Sequence, residues 1–368
     1  MQIKAAVTRA PHSQQSIETL NLSEPRELEI LVRVVATGVC HTDIGMRDQV
    51  FPVPQPIVLG HEGAGVVEKI GRAVSSVQIG DHVVMTYNSC GACESCFENQ
   101  ATYCHDFFAR NFAGSRPDGS SPLSKGTERI HANFFGQSSF ANYAICHERN
   151  AIKVPADVPL ERLGPLACGI QTGAGAVINS LKVSPGKSIA IFGTGSVGLS
   201  AIMASKVVGA TTIIAIDLNP ERLKLAKELG ATHAIKGDRE DSLKAIMGVT
   251  GTGVHFSFDT TANPKVIKQA IESLTLRGEC GLVGASKPGT EFSIDMMHLM
   301  TAGRKVRGIV EGDSIPRLFI PRLIELHKQG KLPFDRLIKF YDMQDFNQAI
   351  ADSESGVTIK AVVRMSHD

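Results

Sequence analysis

Residues 192–198 read FGTGSVG and set Gly193, Gly195 and Gly198 in G-x-G-x-x-G spacing. A strand-like KSIAIF leads into the first glycine, and the helix-like SVGLSAIMASKVVG opens across the last. TTIIAID, NPERLKLAKELG and ATHAI follow, so the chain alternates βαβαβ, which predicts a doubly wound parallel sheet of Rossmann type. In the second helix Asn219 is placed as N-cap, Pro220 in the first turn and Gly230 as the stop. VHFSFD and GECGLVGA extend the sheet. Glycines at this spacing allow a tight turn and let backbone approach a pyrophosphate at the helix N-terminus; a close-packed turn without ligand is the alternative. Asp217 ends the next strand nineteen residues after Gly198, where a carboxylate accepts bonds from ribose hydroxyls and repels a 2′-phosphate. NAD is therefore expected rather than NADP, although Arg222 stands close enough in sequence to complicate the preference.

A second cluster lies earlier. Residues 90–104, CGACESCFENQATYC, carry Cys90, Cys93, Cys96 and Cys104, four of the chain's eight cysteines. Disulfides, an iron–sulfur cluster and a metal ion all use such thiols. The N-terminal MQIKAAVTRAPHSQQ lacks an apolar run of signal-peptide length, so a cytosolic, reducing setting is expected, in which disulfides do not persist. A ferredoxin-type run needs a three-residue gap to a fourth cysteine followed by proline, whereas here the gap is seven and His105 follows. The spacing favours a closed tetrahedral Zn2+ site that pins an irregular loop. Such a lobe could also belong to a nucleic-acid-binding ribbon. Thirty-eight basic against thirty-seven acidic side chains, with no clustered charge, argue against nucleic acid and anionic membrane and for a small-molecule partner.

The 368 residues suffice for two domains. Before Pro165 the reading is mainly β, with strands at Leu28–Val35 and Gly65–Ile70. Residues 104–126 are rich in Gly, Ser and Pro and read as a long loop near a site. After Ile309 the chain is expected to re-enter the first domain. Three segments, ATGVCHTD with Cys40, VLGHEGAG with His61 and Glu62, and LGPLACGIQTG with Cys168, each set a possible zinc ligand beside glycines. Two thiolates and an imidazole would leave one zinc position open, the catalytic arrangement for which alcohol dehydrogenase is the standard Cys2His example. Spacing alone does not show that they meet.

In order and separation, Cys40, the run GHEGAGVVEKIGRAV, the four-cysteine lobe, Cys168 and the glycine fingerprint resemble the zinc-dependent medium-chain alcohol dehydrogenases over essentially the whole chain. CHTDIGMRDQVFPVPQPIVLGHEGAG, FFGQSSFANYA, CGIQTGAGA and IKFY look most like the aryl (benzyl) alcohol dehydrogenases, whose relatives also oxidise terpene alcohols such as geraniol. The resemblance implies a mainly β, GroES-like catalytic domain over 1–169 and 310–368 and a Rossmann domain over 170–309. It implies a catalytic zinc on Cys40, His61 and Cys168, with Glu62 as a neighbouring or alternate ligand, and a structural zinc in the lobe. Zinc as a Lewis acid lowers the pKa of an alcohol toward about 7, as it does for water, and hydride leaves for the nicotinamide.

Thr42 matches the hydroxyl that takes the alcohol's proton. The histidine that ends the relay in many members is replaced by Gly45, so His41 or water completes it; His41 also matches a pyrophosphate contact. Thr172 and Val197 match residues that press the nicotinamide into place, Val283 a contact to the cofactor, and Lys360 a basic contact to the pyrophosphate. Phe51, Phe134, Phe135 and Ile309 match the substrate pocket, an apolar cleft suited to a planar aromatic or long allylic alcohol. Cys146 and Cys280 read as buried hydrophobes. Glutathione-dependent formaldehyde dehydrogenases, the competing substrate reading, carry an acidic side chain where this chain has Phe51. The family is homodimeric or homotetrameric, and the long loop after Cys104 favours a dimer.

Overall fold

Six parallel strands form one sheet in the spatial order His233–Lys236, Thr212–Asp217, Ser188–Phe192, Val254–Asp259, Leu274–Leu282, Lys305–Gly308. In chain order that is 3-2-1-4-5-6, the Rossmann arrangement. Ser188–Phe192 is buried along its whole length, as a central parallel strand covered on both faces must be. Asn219 caps the helix Pro220–Leu229 by accepting from the Glu221 and Arg222 N–H groups, and Gly230 ends it at φ 133°. These are the boundaries the sequence predicts.

The computed structural model describes residues 1–239 and 241–367. By packing, the chain divides into two units: Met1–Cys168 with Ile315–Arg322 and Asp335–Asp368, and Gly169–Ser314 with Leu323–Phe334. The expected return to the first domain at 310 therefore differs in two places. Residues 310–314 and 323–334 go with the nucleotide-type unit, the latter carrying the fully buried Leu323, Ile324, Leu332 and Phe334. Position 368 lies outside the described residues. No helix among the described residues is long and apolar enough to cross a membrane.

The first unit is built on two sheets, and its hub is the strand Glu29–Gly38. That strand pairs antiparallel with Glu62–Ile70, Tyr143–His147 and Lys360–Arg364. Gly38 stands opposite both Glu62 and Val362 in register, so three distant chain segments converge just before Cys40. Residues 104–126 are not one loop. They contain the helix Phe107–Asn111 and lead into the strand Leu123–Lys125, because Phe107 and Phe112 find buried aromatic partners.

Candidate active site and metal centres

Cys40 caps the short helix His41–Arg47, and the N–H of Cys40 donates to Asp43 Oδ2 at 3.0 Å. Asp43 Oδ1 accepts from the Gly60 N–H at 3.1 Å and lies 2.8 Å from His61 Nδ1. One buried carboxylate thus joins the helix start to the segment bearing His61 and fixes that ring's tautomer, the usual partner of a metal-binding imidazole. The other ring nitrogen, Nε2, is buried and has no hydrogen-bond partner. Ligand atoms of Cys40, His61, Glu62 and Cys168 all lie within 4.8 Å of one another. Two thiols, an imidazole with an orphaned nitrogen and a carboxylate around one point fit a zinc ion. The Cys40 thiol is held well below its ordinary range, chiefly by the bond from Cys168, with His61 adding to it against the effect of burial.

Glu62 and Lys360 are both buried, and the Lys360 ammonium lies 2.8 and 2.9 Å from the two Glu62 oxygens and donates to the Val39 carbonyl at 3.1 Å. The cation expected to face a pyrophosphate is thus engaged by Glu62 and Val39 in this structure. A carboxylate taken out of water beside two thiols needs a countercharge, and the register of Lys360–Arg364 delivers one. Burial alone would lower the Lys360 pKa; Glu62 and Cys40 outweigh it and hold it above its ordinary value. Thr42 Oγ1 lies 3.8 Å from Cys40 Sγ, and His41 is exposed on the same turn.

The four expected pocket residues are in different settings. Phe134 and Phe135 are buried against His61, Phe51 packs half-buried on the first unit's core, and Ile309 is buried in the second unit, its N–H on Leu282.

All eight cysteines are free, and Cys90 Sγ and Cys96 Sγ are 3.8 Å apart, well beyond disulfide bonding. Sulfurs at the corners of a tetrahedron with metal–sulfur bonds of about 2.3 Å are about 3.8 Å apart. The four lobe sulfurs lie within 4.8 Å of one another, room for a single ion. Backbone N–H groups of Cys90, Ala92, Cys93 and His105 point at these sulfurs at 3.2–3.5 Å. The His105 N–H leads in pulling the Cys93 thiol down to about 6, while burial pushes Cys104 up to about 12. Arg149 holds the lobe's entry by donating to the Ser89 and Cys90 carbonyls, both at 2.9 Å. The lobe is a structural zinc site.

In the second unit Gly193 turns at φ 88°, and a Cβ on Gly198 would sit 1.9 Å from the Gly193 carbonyl oxygen. Gly195 caps the helix Ser196–Val207 with open space where a side chain would be. Asp217 Oδ2 accepts from the Thr194 N–H and hydroxyl at 2.6 and 2.7 Å, so the carboxylate is held beside the glycine turn. Arg222 stands in the first turn of the following helix. Val197 packs its carbonyl against Gly173, next to Thr172, and Val283 follows directly on the strand Leu274–Leu282. Glu311 was not singled out in the sequence: its Oε2 lies 3.1 Å from Gln171 Nε2 and 3.4 Å from the Thr172 hydroxyl. Asp43 was missed too, although an acidic residue three after an N-cap is a recognisable signal.

Residues 26–156 match the family described as alcohol dehydrogenase GroES-like domain, and 196–328 that described as zinc-binding dehydrogenase. A geraniol dehydrogenase from Castellaniella defragrans is 45% identical over 362 residues, 98% of this chain and 97% of that protein. Among solved structures, the benzyl alcohol dehydrogenase of Acinetobacter calcoaceticus is 47% identical with TM-score 0.97. An alcohol dehydrogenase zinc-binding domain protein from Burkholderia ambifaria is 55% identical with TM-score 0.98. Both superpose over 100% of each chain.

Proposed function

The chain belongs to the zinc-dependent alcohol dehydrogenases, and on that premise we propose that it oxidises aromatic or allylic primary alcohols, of benzyl alcohol or geraniol type, reversibly to aldehydes with NAD. The observation that carries this reading is the meeting of Cys40, His61 and Cys168 within one 4.8 Å cluster, with Phe134 and Phe135 against the imidazole. The names of the geraniol and benzyl alcohol relatives point the same way. When bound, zinc would supply Lewis-acid polarisation of the alcohol oxygen and NAD the acceptor for the hydride.

The chain's own groups do the rest. Cys40, His61 and Cys168 would hold the ion, with Asp43 taking the hydrogen bond of His61 Nδ1 and so leaving Nε2 turned toward it. Glu62 stays beside them, its charge matched by Lys360. The Thr42 hydroxyl takes the substrate proton, and His41 or water carries it to solvent, since Gly45 supplies no imidazole. Gly193, Gly195 and Gly198 admit the pyrophosphate, and Asp217 selects NAD by binding the ribose hydroxyls. Thr172 and Val197 orient the nicotinamide, and Val283 contacts the cofactor. The enzyme works as a homo-oligomer, a dimer; the edge strand Lys305–Gly308 and the exposed Met296, Met297 and Met300 ahead of it support this, and light scattering tests it.

Initial rates of NAD reduction with benzyl alcohol, geraniol, ethanol and S-(hydroxymethyl)glutathione test the substrate. A kcat/KM for benzyl alcohol or geraniol well above the other two is expected. Ethanol or the glutathione adduct matching them sinks the aromatic and allylic assignment.

A further inference from the structure

Phe134 and Phe135 match pocket walls in sequence, yet the structure leaves them 0% and 4% exposed. The Phe135 ring lies on the face of the His61 imidazole, with centroids 4.5 Å apart and planes 27° apart, and Phe134 meets it at 5.6 Å and 83°. Phe135 does this from left-handed backbone, φ 49°, with Asn133 at 65° and Ser138 at 57° in the same turn. Non-glycine residues keep such a conformation only where their surroundings enforce it.

The enforcing contacts converge on the segment that bears His61. Gln137 Nε2 donates to the His61 carbonyl at 3.0 Å, and Gln137 Oε1 accepts from the Gly63 N–H at 3.1 Å. The Ser138 hydroxyl donates to the Val58 carbonyl at 2.6 Å and accepts from the Phe134 N–H at 3.0 Å. Asn150 holds the Phe135 carbonyl. On its other side Phe135 meets Phe112 at 5.2 Å and 69°, and Phe107 at 6.4 Å and 88°. The helix carrying Phe107 is clamped in turn: Asn111 Oδ1 accepts from the Asn88 N–H at 2.8 Å, and Asn111 Nδ2 donates to the Asn88 carbonyl at 3.0 Å, two residues before Cys90.

We propose that Phe135 is a positioning residue for the metal: its stacked ring and the Asp43 carboxylate together fix the plane of His61, so that Nε2 is aimed before an ion arrives. Phe112 and Phe107 back the stack and tie it to the chain leaving the four-cysteine lobe. The inference rests on reading Cys40, His61 and Cys168 as zinc ligands.

The test compares the wild type with Phe135→Leu, which fills much of the volume without a ring, and Phe135→Tyr, which keeps the ring. Zinc per chain, zinc release to a chromogenic chelator and the absorption spectrum of cobalt-substituted protein are measured. Phe135→Leu should release one of two zinc ions about 10–100-fold faster, the range for losing a group that orients a ligand, and shift the cobalt bands. Phe135→Tyr should stay near the wild type on both counts. Phe112→Leu is the second variant should Phe135→Leu not fold, and it should also speed release. Leu276→Ala, at an exposed position of the second unit, is the control, with release and spectrum unchanged. Wild-type release and spectrum in Phe135→Leu, or in Phe112→Leu where that variant stands in, overturn the proposal, even if alcohol selectivity changes. If His61→Ala leaves the zinc count unaltered, the zinc reading fails and the proposal with it.

Discussion

Replacing Lys360 with Met keeps most of the side-chain length and removes the ammonium paired with the Glu62 carboxylate, which is 0% exposed. At the observed 2.8 Å, two unit charges in a medium of effective dielectric 20 attract by about 6 kcal/mol, partly offset by the cost of desolvating both. Breaking a buried pair from one side costs about 3–5 kcal/mol. Burial already holds Glu62 up to about 7 in the wild type, against the pull of Lys360, and without the ammonium it is held higher still. The sign of the pH dependence follows: below about 7 both folded forms hold a proton that the unfolded chain releases near about 4.3, so the two proteins respond alike there. The deficit of the variant opens as the pH rises through about 7, by at most about 1.4 kcal/mol per unit, or about 2 kcal/mol between pH 6 and 8.5. Urea unfolding followed by circular dichroism at pH 6 and 8.5, with zinc content determined on each sample, reads this out. The double variant Glu62→Gln/Lys360→Met should lose less than the sum of the two single changes. A deficit that is the same at the two pH values, or strictly additive losses, would refute the claim that Lys360 serves Glu62.

Other perturbations probe the remaining parts. Gly198→Ala drives a Cβ into the Gly193 carbonyl, so the turn must move; kcat/KM for NAD should fall about 100-fold with zinc content intact, and a loss under threefold refutes the close approach. Asp217→Asn should lower kcat/KM for NAD about 10-fold and raise that for NADP, as steady-state rates with both cofactors would show; an unchanged preference removes Asp217 from selection. Cys93→Ser should leave about one zinc per chain by elemental analysis and lower the melting temperature, whereas two retained ions would place the second metal elsewhere.

The Rossmann unit was legible because its signals are local. Periodicity marks each strand and helix, Asn219 and Gly230 mark helix ends, and the glycine turn is written in three positions. The partner of Lys360 was not legible because it depends on the register of a strand arriving 298 residues after Glu62, which nothing near position 360 encodes. The stretch 104–126 reads as loop from its glycines and serines, yet Phe107 and Phe112 are tertiary contacts, and their partners follow more than twenty residues later in FFGQ. Glu311 was not foreseen, and Phe135 was matched to a pocket wall rather than to the face of His61, for a shared reason. Both take left-handed backbone that their residue types disfavour, φ 49° in each, and both sit against expected site residues, His61 and Thr172. Local preference cannot forecast a conformation that the whole fold imposes against it. Where such an override is sustained by a dense set of hydrogen bonds, as around Gln137 and Ser138, the strain is held for what it aims. In this chain it aims a ring at a metal ligand.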